Sequence, residues 1–227
     1  MIKTSIIIRT YNSAGFIENA LKSVLDQKLD TNLYEILVVD DGSSDNIEEI
    51  LLPYKNKIKF FKLSHVGFLN NANRAAKLAQ GKFLVFLDSD DASFPGAIEK
   101  MTKAVEENTK SCFVFCDYYE KEIDGKEKKY VSLRDNPFKG IAGGIIFVKK
   151  VFEKNGMYDE NIFFAEYDLF LRLKQAGFEG KYLASPVFIY SRREGSLTHS
   201  REQVKKGMDQ LKEKYGELEE IKNMREY

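Results

Sequence analysis

Four short apolar runs organise the first half of the chain: TSIIIRT (4–10), YEILVVDD (34–41), KIKFFKL (57–63) and FLVFLD (83–88). Stretches of helical period separate them, as in Phe16, Ile17, Ala20, Leu21, Val24 and Leu25. Runs that are apolar at successive positions suit strands buried on both faces, which requires layers above and below the sheet. Strand alternating with helix therefore predicts an α/β fold, a mostly parallel central sheet with right-handed crossovers and helices on both faces. Ligands of such sheets lie beyond the carboxyl ends of the strands.

The residues expected at that edge are of one kind. The first run ends in Thr10-Tyr11-Asn12, the second in Asp40-Asp41-Gly42-Ser43-Ser44-Asp45, and the fourth in Asp88-Ser89-Asp90-Asp91. Gathered carboxylates repel one another unless a cation or a set of donors stands between them. Helix capping by Asn12 or Ser13, Ser43 or Ser44, and Ser93 accounts for one polar residue per loop, but not for two or three acids. The turn TYNSAGF lacks the G-x-G-x-x-G of a dinucleotide fold, so a bound diphosphate needs another positive charge. A divalent cation at Asp88 and Asp90 is one source.

Composition removes several function classes. Lys and Arg number 35 and Asp and Glu 35, so no net field draws the chain to nucleic acid. No window reaches the ~20 apolar residues of a membrane span, and MIKTSIIIRTYNS turns polar too soon for a signal peptide, so a cytoplasmic protein is expected. Cys112 and Cys116 stand about 13 Å apart along a strand, beyond disulfide reach, and are expected to be reduced core residues. Two histidines, and no HExxH, GxSxG or P-loop sequence, argue against metalloprotease, serine hydrolase and P-loop chemistry.

Past residue 91 the pattern changes. CFVFCDYYEKEIDGKEKKYVSL reads as two strands about a turn at Asp124-Gly125, and PVFIYSRREGSLTHS as a closing strand carrying Arg192 and Arg193. Residues 166–176 read as a helix with Leu169, Phe170, Leu173 and Ala176 on its apolar face. Glu166 and Asp168 fall in its first turn, where the helix dipole favours carboxylates whatever their further role. The charged tail 201–227 is expected to form an amphipathic helix on Val204, Met208, Leu211, Tyr215 and Leu218. Packing on its own domain is preferred there over homodimerisation or peripheral membrane contact.

Six motifs, in order, resemble the family 2 glycosyltransferases of GT-A fold: IIIRTYN (6–12), ILVVDDGSSD (36–45), LNNANRAAKLAQGKFLVFLDSDD (69–91), GGIIFVKKVFEKNGMYDE (143–160), EYDLFLRLKQAGF (166–178) and YSRREGSLT (190–198). The resemblance covers about residues 1–200 and implies one GT-A domain, with a nucleotide-binding half (1–91) and an acceptor half (92–200), followed by the tail. It implies that Thr10, Tyr11 and Asn12 lie at the nucleotide, that Asp40 and Asp41 reach base and ribose, and that Asn73 and Arg74 stand near sugar or diphosphate. Asp88 is then expected at ribose or donor sugar, Asp90 at a Mn2+ or Mg2+ bridging the diphosphate, and Asp91 as a reserve ligand. Arg192 or Arg193 faces the leaving group, and Asp168 lies with them or in the helix frame.

In the family an acidic pair opens the later helix and its second member is the general base; here the pair is Ala165-Glu166. The implied reaction is inverting transfer from a nucleoside-diphosphate sugar, UDP-sugar foremost, to a glycan or lipid-linked saccharide acceptor at the inner membrane face. The alternative is a chain of the same fold that binds nucleotide sugar, or a partner transferase, without turnover. The loop 139–144 and the aromatics Phe163 and Phe164 are expected to exclude water or shape an acceptor groove. A haloacid-dehalogenase-like phosphatase carries its acidic motif on the first strand, and a nucleotidyltransferase a Gly-rich basic loop after it; neither pattern is present.

Overall fold

The computed structural model describes the chain apart from residues 28, 108–110, 123–124, 135, 141–142, 194–200, 223 and 225–227, and apart from the side chain of Lys139. Asp124 of the turn noted above, part of the loop 139–144 and residues 194–198 of the last motif thus lie outside the described residues. The elements run β1 (Thr4–Thr10), α1 (Ile17–Leu25), β2 (Tyr34–Asp40), α2 (Ile47–Leu51), β3 (Lys59–Lys62), α3 (Phe68–Leu78), β4 (Phe83–Asp88), β5 (Ala92–Ser93) and α4 (Ala97–Glu106). After them come β6 (Ser111–Glu122), β7 (Lys129–Val131), β8 (Ile146–Val148), α5 (Lys149–Lys154), α6 (Ala165–Gln175), β9 (Glu179–Arg192), α7 (Arg201–Tyr215) and α8 (Glu219–Lys222).

One sheet, ordered β3-β2-β1-β4-β8-β6-β9-β5, passes through the molecule, and β7 pairs with β6. The four runs of the first half form its parallel part, with Thr10 beside Asp40 and Arg9 beside Asp88. Every residue of β1 is buried, as are the apolar residues of β4, as expected of central strands covered on both faces. β8 enters antiparallel to β4 and β6, so the sheet is mixed in its second half. Across that half the core is aromatic: Phe86, Phe147, Phe152 and Tyr158 pack edge to face or tilted, and Phe113 stacks on Phe170 at 4.7 Å. Such ring pairs add ~0.5–1.5 kcal/mol each beyond the area they bury.

Two boundaries differ from the sequence reading. β9 begins at Glu179 rather than near Pro186, because it runs alongside β6 for the length of both strands, through register shifts near Asp117. That pairing asks for a residue without a side chain at Gly180, where a Cβ would stand 2.3 Å from the Phe113 ring. The tail helix stops at Tyr215, since Gly216 takes a left-handed φ of 77° that turns the chain into α8. Val204, Gly207 and Leu211 of α7 are buried.

α6 matters most for the site. It is closed at its far end by Gly177 at φ 80°, with Gly177 N donating to Lys174 O and Phe178 N to Leu173 O. Leu169, Phe170 and Leu173 bury its inner face, which presents the first turn, with Glu166, toward the end of β4.

Candidate active site

The polar side chains of the loops after β1 and β2 tie the loops to each other rather than capping their own helices. Asn12 takes a left-handed φ of 47°; its N–H donates to Ser43 Oγ at 2.8 Å and its Oδ1 accepts from Ser44 N at 2.9 Å. Ala14 N donates to Asp45 Oδ2 at 2.8 Å. No side chain caps α1 or α2, so the capping account of these polar residues does not describe the structure. Asp40 is fully buried and accepts from Ser43 N and Ser43 Oγ, a closed turn of its own. Asp40 therefore shapes the edge, its carboxylate engaged within its own turn, and Asn12 ties the two loops together.

Asp41, Tyr11 and His65 form a distinct corner. Asp41 accepts from Val66 N at 3.0 Å and Gly67 N at 2.9 Å, and its Oδ2 lies 2.8 Å from His65 Nδ1. The His65 ring stacks on Tyr11 with centroids 4.3 Å apart and planes 22° from parallel, and both rings are exposed. Beside them the Thr10 hydroxyl is buried with no partner among the described residues. An aromatic shelf, a carboxylate and an unanswered hydroxyl are groups with which a protein can hold a nucleobase and its ribose.

The acids at the end of β4 each meet a partner from elsewhere. Asp88 Oδ1 accepts from Arg9 Nη2 at 2.6 Å, and Asp90 Oδ2 from Arg193 Nε at 2.7 Å. Asp91 is buried, and its Oδ1 accepts from Ser191 N at 2.9 Å, tying β9 to the motif. Burial, then the neighbouring Asp88 and Asp90, push the Asp91 carboxyl well above the usual range. Burial also raises Asp88, against the pull of Arg9.

Glu166 lies in the same electrostatic neighbourhood: burial raises its pKa, Arg9 opposes the rise, and Asp88 adds to it. Tyr158 borders the same space, its phenol raised by burial and then by Glu166. The Asn73 side chain fixes that segment by donating to Tyr158 O at 2.8 Å and accepting from Tyr158 N at 3.0 Å. Arg74 points back to Ser64, with Nη1 3.2 Å from its hydroxyl.

Other expected residues fall elsewhere. Arg192, the last residue of β9, pairs with Glu120 at 3.1 Å, while Arg193, just past the strand, goes to Asp90. Asp168 is fully buried and held by Arg172 Nε at 2.8 Å, Tyr215 OH at 2.6 Å and Lys214 Nζ at 2.8 Å. It fastens the tail to α6 and has no open side toward a ligand. Phe163 and Phe164 meet Gly207 of α7, where a Cβ would lie 2.7 Å from either ring, so they seat the tail instead of opening a groove. Arg9, His65 and Tyr158 went unassigned in the sequence. Arg9 did carry a signal, a full charge at the end of the apolar run Ile6–Ile8, which demands a counter-charge nearby.

Comparison with known proteins gives the fold and the family. A TarS fragment (1–349) from Staphylococcus aureus, crystallised with UDP-GlcNAc, superposes with a TM-score of 0.71 at 23% identity, over 98% of this chain and 69% of that one. The Pyrobaculum calidifontis mannosyltransferase PcManGT, crystallised with GDP-Man and Mn2+, gives 0.74 at 16% identity, over 93% and 63%. These likenesses establish the GT-A fold. In sequence, an uncharacterized glycosyltransferase of Rickettsia typhi, RT0329, is 30% identical over 92% of this chain and 68% of its own length. One from Rickettsia conorii, RC0461, is 37% identical over 61% of this chain but only 22% of its own length, so the chain spans about a fifth of that relative. The profile described as Glycosyl transferase family 2 matches residues 5–192, and the chain belongs to that family.

Proposed function

We propose that the chain is a metal-dependent, inverting glycosyltransferase that moves a hexosyl or N-acetylhexosaminyl group from a nucleoside-diphosphate sugar, UDP-sugar foremost, to a hydroxyl of a glycan or lipid-linked saccharide. The observation that carries this reading is the convergence, at one sheet edge, of the Tyr11–His65–Asp41 corner with Asp88, Asp90 and Glu166. The UDP-GlcNAc and the GDP-Man with Mn2+ held by proteins of the same fold support it.

The residues present fit a divalent cation. Asp88 and Asp90 are hard oxygen donors, both partly exposed at the strand mouth, and each has one carboxylate oxygen outside its arginine contact. Among the described residues no cluster of three or more His, Cys, Asp or Glu is poised to hold a metal, so ligands beyond these two must come from substrate phosphate and water, as is usual for Mg2+. When bound, the cation neutralises charge growing on the diphosphate.

Glu166 takes the acceptor's hydroxyl proton as the acceptor oxygen bonds to the anomeric carbon. The bond from that carbon to the diphosphate breaks, and its electron pair leaves with the nucleotide. One displacement inverts the anomeric centre. Thr10, Tyr11 and Asp41 hold the nucleotide, and Arg193 lies at Asp90, close to where the diphosphate would bind.

The test is a thermal-shift panel of UDP-, GDP- and dTDP-sugars with Mn2+ or EDTA, followed by donor turnover in Glu166→Gln. Specific binding stabilises the folded state by mass action. The reading expects a rise for one nucleotide class that EDTA abolishes, and a Glu166→Gln protein that binds donor yet turns over about 10²–10⁴-fold more slowly. Wild-type turnover in Glu166→Gln would remove the base assignment. A second reading, a nucleotide-sugar-binding partner without turnover, is favoured by Ala165, a fully buried apolar residue where the family's first acid is usual. Donor binding with neither transfer nor hydrolysis would select it.

A further inference from the structure

Arg9 has a buried guanidinium. Phe68 lies over it at 3.9 Å from ring centroid to Cζ, and the Phe86 ring is at 5.3 Å. Nη2 meets Asp88 at 2.6 Å, while Nε and Nη1 are enclosed without a hydrogen-bond partner among the described residues. For stability alone this is a poor arrangement. A buried ion pair is often replaceable by apolar residues at no loss, and buried donors left unpaired cost free energy. The run Ile6–Ile8 before it shows that apolar side chains pack on this strand. What the charge does achieve is local: it restrains the first acid of the β4 cluster and lies within electrostatic reach of Glu166 and Tyr158.

We infer that Arg9 is a positioning residue for the transfer step, holding the Asp88 carboxylate at the strand mouth and keeping a water-shielded positive charge in the space that Glu166 and Tyr158 border. The inference rests on the transferase reading above. Phe68 is part of the device. It follows Gly67, whose N–H is held by Asp41, so the segment that closes over Arg9 is anchored at the nucleotide corner. The positioning assignment separates two effects: losing Arg9 misplaces the reacting groups without removing the groups that bind the nucleotide.

The experiment measures UDP release from UDP-GlcNAc in Mn2+, with water as acceptor, and UDP affinity by calorimetry, for wild type, Arg9→Met, Arg9→Lys and Arg9→Ala. Misplacement of reacting groups by an ångström costs about 10²-fold in rate. The expected result for Arg9→Met is a loss of that size in kcat that exceeds any change in KM or UDP affinity, since Asp90 and the Tyr11–His65–Asp41 corner are left in place. Arg9→Lys is expected to recover part of the loss, and added methylguanidinium to raise the rate of Arg9→Ala. An Arg9→Met kcat within about twofold of wild type overturns the inference, as does a loss confined to KM. If Arg9→Met does not fold, Arg9→Lys decides: a kcat lowered by more than KM is raised supports positioning by the guanidinium, and wild-type kcat overturns it. A wild-type protein that neither binds UDP nor releases it from UDP-GlcNAc refutes the UDP-sugar reading itself, a different outcome from wild-type turnover that Arg9→Met matches.

Discussion

Replacing Asp168 by alanine tests whether that acid serves the ligand or the fold. Its carboxylate is fully buried and receives three donors, from Arg172, Tyr215 and Lys214, at 2.6–2.8 Å. Arg172 also donates to the carbonyls of Asn155 and Met157, so the network joins α6, the segment before Tyr158 and the tail. Breaking a buried pair by removing one partner costs ~3–5 kcal/mol. Here Arg172 and Lys214 keep 21% and 36% of their side-chain surface in water, which relieves part of the loss. We expect about 2–4 kcal/mol, since partly hydrated charges are less penalised than enclosed ones. For a chain of this size that lowers Tm by roughly 4–16 °C. Tyr215→Phe, which removes one donor, is expected to cost about 1 kcal/mol. The assay is urea and thermal unfolding by circular dichroism, with UDP affinity measured on the same samples. A loss under about 1 kcal/mol for Asp168→Ala, or unchanged stability with weakened ligand binding, would refute the reasoning and return Asp168 to the ligand.

Two further outcomes follow from the same kind of bookkeeping. Asp117 is buried and accepts from Tyr130 OH, Tyr182 OH and Leu133 N; burial pushes its carboxyl up, but these donors outweigh burial and leave it below the usual aspartate value. A lowered folded pKa means that its stabilisation is in place above the unfolded value of ~3.9 and is lost as pH falls through the folded one. Asp117→Asn should flatten the acid limb of stability against pH, and an unchanged slope would contradict the assignment. His65→Ala removes the ring stacked on Tyr11 and is expected to weaken UDP binding roughly 2- to 10-fold, the equivalent of one aromatic contact. Unchanged UDP affinity would take His65 out of the nucleotide corner.

What could be read from residues alone was whatever depends on local order. Strands at 4–10 and 83–88 announced themselves as unbroken apolar runs, and the helix read at 166–176, which spans Ala165–Gln175 in the structure, as a periodic stripe, because burial on two faces or one leaves that mark in sequence. The acids after Leu87 stood out for a related reason, being unusual residues for the end of a buried strand. Whether a given acid faces a ligand or the protein was not legible. Asp40, Asp41, Asp88 and Asp168 are alike in type, yet one closes its own turn, one meets a histidine, one an arginine and one anchors the tail.

The chain itself determined an α/β sheet whose acidic loops share an edge, since period and residue type act over a few neighbouring positions. Only the tertiary structure decided which charges meet. Arg9 and Asp88 are 79 residues apart, and Asp90 and Arg193 103 apart. They become partners because β1 lies beside β4 and β9 is tied at Ser191 to Asp91, and the energy of such a pair depends on distance through space and on the water that burial removes, neither of which local sequence encodes.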